Sequence, residues 1–145
     1  RIIAVAAAAA IASASVAFAA GHTDAITMRK NGMQGVGLAM GTLVAMAKGE
    51  APVDAKKAAG ALKSMNYVAN TFGDFFPEGS ADGDTTASPK IWEDMAGFEE
   101  KLEALQTDTA MAAMDAPQDQ AAVQELVGML GKGCKGCHEE YRIEK

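Results

Sequence analysis

Apolar residues recur at alternating spacings of three and four along four stretches of the chain, the pattern of helices that each bury one face. In the first, about residues 24–48, Ile26, Met33, Met40 and Ala47 repeat every seven positions, and Val36 and Leu43 fill the seam between them. The second starts at Asp54, a residue type that caps helix N-termini, and runs through Ala58, Leu62, Met65, Ala69, Phe72 and Phe76 to Pro77. The third opens with Ser88 as cap and Pro89 in the first turn, where a missing N–H does no harm; Ile91, Met95, Phe98, Leu102, Leu105 and Thr109 mark one face as far as Asp115. After the break at Asp115-Ala116-Pro117 the fourth spans about Gln118 to Tyr141, led inward by Val123, Leu126, Val127 and Leu130. Short links join the first helix to the second and the third to the fourth, which favours antiparallel neighbours. The polar stretch PEGSADGDTTA between the pairs reads as a loop. No strand pattern stands out, and the predicted fold is all-α, an antiparallel four-helix bundle.

The first stripe carries an anomaly. Gly32, Gly35, Gly37 and Gly41 lie inside it, and each glycine costs a helix about 1 kcal/mol relative to alanine. The heptad spacing runs straight through them, so the helix is expected to continue, with something bulky approaching its backbone closely.

Residues 1–19, RIIAVAAAAAIASASVAFA, are of a different kind: one positive charge, an Ala-rich apolar run, and Ala17-Phe18-Ala19 to close it. This is the pattern of a secretory signal peptide with its cleavage site, and a mature chain beginning near Ala20 is expected. A membrane anchor is the rival reading, disfavoured by the Ala- and Ser-rich composition. Residues 20–145 suffice for one domain with a core. Without Arg1 the chain carries 12 basic against 19 acidic side chains. So acidic a surface argues against nucleic acid and suits redox proteins, soluble or membrane-bound, that present basic patches.

The only two cysteines stand in GKGCKGCHEEYR, residues 131–142. A disulfide between them would close too small a loop to stabilise much. On a helix Cys134, Cys137 and His138 lie three and four apart and share a face. Cys-x-x-Cys-His is the attachment sequence of c-type haem: each thiol adds across one vinyl group, and the adjacent histidine reaches the iron. Attachment after export agrees with the signal peptide. A structural zinc site lacks a fourth ligand, since the other histidine, His22, lies in the N-terminal segment. A thiol–disulfide enzyme would be expected beside a βαβ pattern. Gly131, Gly133 and Gly136 offer room for a flat macrocycle near the backbone, and Phe72, Phe76, Trp92 and Phe98 are available to wall it in, although each aromatic would serve equally well as ordinary core. Neither paired carboxylates nor a nucleophile with a base stand out, and no enzyme activity is expected.

With that motif in its last helix, the chain resembles the class II c-type cytochromes, the cytochrome c′ family. Supporting pieces are Arg29-x-x-x-Met33 and MAKGE (46–50), FFPEGS (75–80), SPKIW (88–92) and CKGCHEEYR, in this order over the whole mature chain. The resemblance implies one haem c bound through Cys134 and Cys137, with His138 as proximal ligand. In some members a bulky apolar residue of the first helix covers the distal face, leaving a five-coordinate, high-spin iron open to NO or CO. In low-spin relatives a methionine from that helix ligates the iron, and the protein is read as a carrier of single electrons. Met33 matches that position by its spacing from Arg29 and can serve either role; Met40 is a fallback on the same face. Thioether ligation would raise the reduction potential and close the site to gases. Arg29 is implied to pair with a haem propionate, and homodimers through the first two helices are implied as well. The expectation is a periplasmic electron carrier with Met33 as sixth ligand; the alternative is a binder of NO or CO.

Overall fold

The computed structural model describes the backbone of residues 7–144 and the side chains of residues 24–144; the expected signal segment 1–19 and its cleavage site lie outside the residues whose side chains are described. Five helices occur among the described residues: α1 (Ala7–Ala47), α2 (Ala55–Phe72), the single turn α3 (Lys90–Glu93), α4 (Met95–Met114) and α5 (Gln120–Tyr141). Helices α1, α2, α4 and α5 form a four-membered bundle in which α2 packs on α1 and α4, and α5 on α1 and α4. Interhelical bonds give the directions. Along α2 the partners Asn66 and Ala69 ascend while Gln106 and Thr109 of α4 descend, so the two are antiparallel. Gln120 and Gln124 at the start of α5 both donate to the Ala47 carbonyl at the end of α1, at 3.1 and 2.8 Å, so one of the carbonyls that a helix terminus leaves without an intrahelical partner is bonded twice.

The helix ends follow local chemistry. Asp54 caps α2, its Oδ1 accepting from the Lys56 and Lys57 amides at 3.0 Å each. Asp119 caps α5 through the Ala122 amide at 2.9 Å. The second stripe ends as helix at Phe72 and continues as a 3₁₀ turn, Gly73–Phe75. The third stripe departs from expectation. It is not one helix from Pro89 but the short turn α3 and then α4, separated at Asp94, whose backbone leaves the helical region (φ −137°, ψ 57°) and whose side chain caps α4 by accepting from the Gly97 amide. A residue that competes for backbone donors interrupts a helix even where the apolar period continues.

The glycines of α1 also need a correction. Helix α1 does run through all four, as the heptads require. At Gly32 a Cβ would stand 3.2–3.3 Å from Val68 and Phe72, so the close neighbour is α2. Nothing lies within 4 Å of a Cβ at Gly35, Gly37 or Gly41.

The core has two parts. One is aliphatic, with Leu43, Leu62, Met65 and Val123 wholly removed from solvent. The other is aromatic, built on Phe72, Phe76, Phe98 and Tyr141 with Ile91 and Leu102. Among the described residues no helix is long and apolar enough to cross a membrane.

Candidate haem-binding cavity

A cavity of about 530 Å³ opens beside the aromatic core, within the range of sites that hold a cofactor. Helix α5 contributes Gly133, Cys134, Cys137 and His138 to its wall, and its neighbour α1 contributes Arg29, Met33 and Val36. Phe72, Phe76 and Phe98 line it too. The residues singled out in the sequence, Cys134, Cys137, His138, Met33 and Arg29, therefore surround one space. Met40 packs against the aliphatic cluster and does not line the cavity. Of the three glycines near the cysteines, Gly133 alone is on its wall.

Trp92 does not line the cavity either. Its indole N–H donates to the Pro77 carbonyl at 3.1 Å, and its ring packs on Phe76 with centroids 5.7 Å apart. It acts as a support behind the wall.

Both cysteines are free thiols, half-buried on α5. Burial pushes each above the ordinary thiol value; for Cys137 the neighbouring Lys101 opposes this, and Cys134 and Glu140 add to it. A thiol–disulfide enzyme needs the reverse, a thiolate stabilised by its surroundings. Burial, followed by the charge of Arg142, lowers the His138 imidazole, which keeps it neutral and able to donate a lone pair to a metal at neutral pH. Among the described residues no three His, Cys, Asp or Glu converge as donors to a bare metal ion. Two neutral thiols and a neutral imidazole on one cavity wall fit a haem held through its edge and its iron.

Arg29 is 5% exposed and its partners are neutral. Its Nε donates to the Phe75 carbonyl at 2.6 Å and Nη1 to the Ser80 carbonyl at 2.9 Å, while Nη2 bonds the Ser80 hydroxyl. The guanidinium carbon lies 4.3 Å from the Phe76 centroid and 5.2 Å from that of Trp92. These bonds use three of the five N–H donors of a guanidinium. A buried cation is normally matched by an anion, and the cavity that Arg29 lines has room for a carboxylate arm.

The sequence reading missed the clamp of loop 75–80 on Arg29, and it missed Asp94. No spacing signals the second, since its partner Tyr141 is 47 residues away.

A family profile described as Cytochrome C′ matches residues 24–142. Cytochrome c-556 of Agrobacterium fabrum is 37% identical over 132 residues, covering 91% of this chain and 88% of that protein. Among solved structures, cytochrome c′ from Rhodopseudomonas palustris superposes with a TM-score of 0.78 at 32% identity, over 84% of this chain and 98% of that one. The nitric oxide complex of a leucine-to-alanine mutant of cytochrome c prime from Alcaligenes xylosoxidans gives 0.74 at 28% identity, over 86% and 97%. The profile match spans the part of α1 that carries Arg29 and Met33, all of α2, α4 and α5, and the cavity between them, and the chain belongs to the cytochrome c′ family, as a c-type haem protein with covalently held haem.

Proposed function

We propose that the protein is an exported, periplasmic carrier of single electrons, cleaved after Ala19, with residues 20–145 as its cytochrome domain. Cys134 and Cys137 form the two thioethers, His138 is the proximal ligand, Met33 the sixth ligand, and Arg29 pairs with a propionate. When bound, the haem supplies one-electron redox chemistry at its iron. The chain's own part would be to bring donor atoms from α1 and α5 to one cavity. The observation that carries this reading is that Met33 of α1 and His138 of α5 open into one cavity while Met40 does not. Relatives named cytochrome c-556 as well as cytochrome c′ agree with an electron-carrying member of the family.

A second reading has its own support. Met33 is half-buried, its side chain packed on the aromatic cluster, and a similar structure is described as a nitric oxide complex. With Met33 as a cover alone, the same cavity would admit NO or CO. The visible spectrum of the purified protein separates the two, oxidised and then reduced, before and after CO. The carrier shows a sharp reduced α-band, a weak sulfur-to-iron band in the red when oxidised, and no response to CO. A broad high-spin spectrum that shifts with CO would select the gas-binding reading. Met33→Ala converts the carrier to a high-spin, CO-responsive form; under the cover reading it leaves the resting spin state as it was and speeds gas entry.

Partners follow from charge and shape. The net charge of −6 suits redox proteins with basic patches. For homodimers the face between α1 and α2 is the candidate, a shallow groove past Gly35, Thr42 and Ala61 beside Leu38, which is 77% exposed. Sedimentation of Leu38→Asp against the unmodified protein tests it, a monomer being expected for the variant alone.

A further inference from the structure

Helix α5 carries its cysteines and histidine in its last two turns, where helices ordinarily fray because the final carbonyls lack partners. Here that end is held from several sides. The Tyr141 carbonyl accepts from the Ser88 amide at 2.9 Å, the Ile143 amide donates to Thr86 at 2.9 Å, and Ala87 pairs with Arg142 in an isolated antiparallel bridge. Glu140 bridges Lys90 at 3.1 Å and Lys101 at 3.3 Å. Inside this grip Tyr141 is 4% exposed, its ring edge-on to Phe98 with centroids 5.4 Å apart. Its hydroxyl donates to Asp94 Oδ2 at 2.7 Å. The other oxygen of that carboxylate accepts from the Gly97 amide at 3.2 Å, so one side chain joins the start of α4 to the end of α5. Gly97 makes the junction feasible: a Cβ there would lie 2.5 Å from both Asp94 Oδ2 and the Tyr141 hydroxyl.

The body of α5 is held separately from this end, with Val123, Leu126 and Leu130 buried in the aliphatic core. What lies within one turn of Tyr141 is Cys137 and His138, on the same cavity wall. We propose that Tyr141, held by Asp94 across Gly97, is a positioning residue for His138: it fixes the last turn of α5 so that the imidazole keeps a single orientation towards the iron. This rests on the readings of His138 as proximal ligand and Met33 as sixth ligand, the latter checked separately by a low-spin resting spectrum of the unmodified protein. A histidine free to tilt binds iron less firmly, and the weaker axial field favours a high-spin ferric population.

The test uses the haem-loaded protein. Tyr141→Phe deletes the hydroxyl and keeps the ring. The variant should retain haem after denaturation, yet show a shifted reduction potential, a new high-spin ferric fraction well below its unfolding temperature, and about tenfold faster amide exchange at residues 141 and 142, the loss of one hydrogen bond's protection. Gly97→Ala should reproduce all three by displacing the same hydroxyl. Asp94→Asn can cap Gly97 with its one oxygen while its amide NH2 donates to the Tyr141 hydroxyl, so the link between α4 and α5 persists with that bond reversed and the wild-type spin state should be kept. A Tyr141→Phe protein that melts earlier but has the wild-type potential and spin state would reduce the lock to scaffolding and overturn the proposal. Rapid amide exchange at residues 141 and 142 in the unmodified protein would overturn it with no variant needed. Should the unmodified protein hold no haem after denaturation, the assignment of Cys134 and Cys137 fails instead, and should His138→Ala keep the unmodified protein's spectrum and potential, that of His138 fails, so the failures are separable.

Discussion

Asp94 and Tyr141 illustrate what one hydrogen bond does to two titrations. Bonds from the Tyr141 hydroxyl and then the Gly97 amide hold the Asp94 carboxyl below its ordinary value of 3.8, while acceptance by Asp94, with burial, pushes Tyr141 up to about 12. The signs follow from which state binds protons more tightly. Asp94 contributes stability that is present above the ordinary carboxylate value and lost as pH falls through its lower folded value. Tyr141, more tightly protonated when folded, contributes stability that is complete below its ordinary value of 10.0 and lost between there and about 12. Urea midpoints across both ranges should show an acid and an alkaline slope, and Tyr141→Phe should lose the alkaline one and weaken the acid one. Glycine gives a second contrast. At Gly37 a Cβ meets nothing within 4 Å, so Gly37→Ala should stabilise the protein by about 0.5–1 kcal/mol in urea unfolding. Gly32→Ala sets the same helical gain against contact with Val68 and Phe72, and should stabilise less or destabilise.

Among the elements, caps decide boundaries. Asp54 satisfies two amides at the start of α2, and Asp54→Ala should lower the urea midpoint without changing the visible spectrum, because α2 enters the cavity wall at its far end, through Phe72. Such a boundary was legible at Asp54, where the capping residue precedes the apolar period, whereas the start of the last helix was read from the break at Asp115-Ala116-Pro117 and its cap, Asp119, was not. The break at Asp94 was not legible, because Ile91, Met95 and Phe98 keep helical spacing across it and the partner that makes a break favourable, Tyr141, is 47 residues away.

For the whole molecule, the aliphatic and aromatic parts of the core have separate duties. Leu62 is fully buried in the aliphatic part and does not line the cavity. Leu62→Ala should therefore cost about 2–5 kcal/mol in unfolding while leaving the reduction potential unchanged. Charge acts at the same scale. With a net −6, electron exchange with a small cationic reagent should slow as salt is added and exchange with an anionic one should quicken, as stopped-flow rates over an ionic-strength series would read. The reverse pattern, the cationic reagent quickening with salt and the anionic one slowing, would mean that Lys30, Lys101 and Arg142 on the cavity lining outweigh the molecule's overall charge.

Sequence by itself determined the bundle and the haem-attachment motif, because both are written in short spacings: three and four residues for a buried helix face, and three contiguous functions in Cys-x-x-Cys-His. It also limited the distal candidates to two methionines seven residues apart on one stripe of α1. Sequence spacing put Met33 first, and only the tertiary structure shows that Met33 lines the cavity and Met40 does not, since a heptad repeats the same face at different heights along the bundle. The same holds for Arg29, Ser80, Asp94, Gly97 and Tyr141. Their roles are distances between segments far apart in the chain, and a distance of that kind has no period in the sequence to betray it.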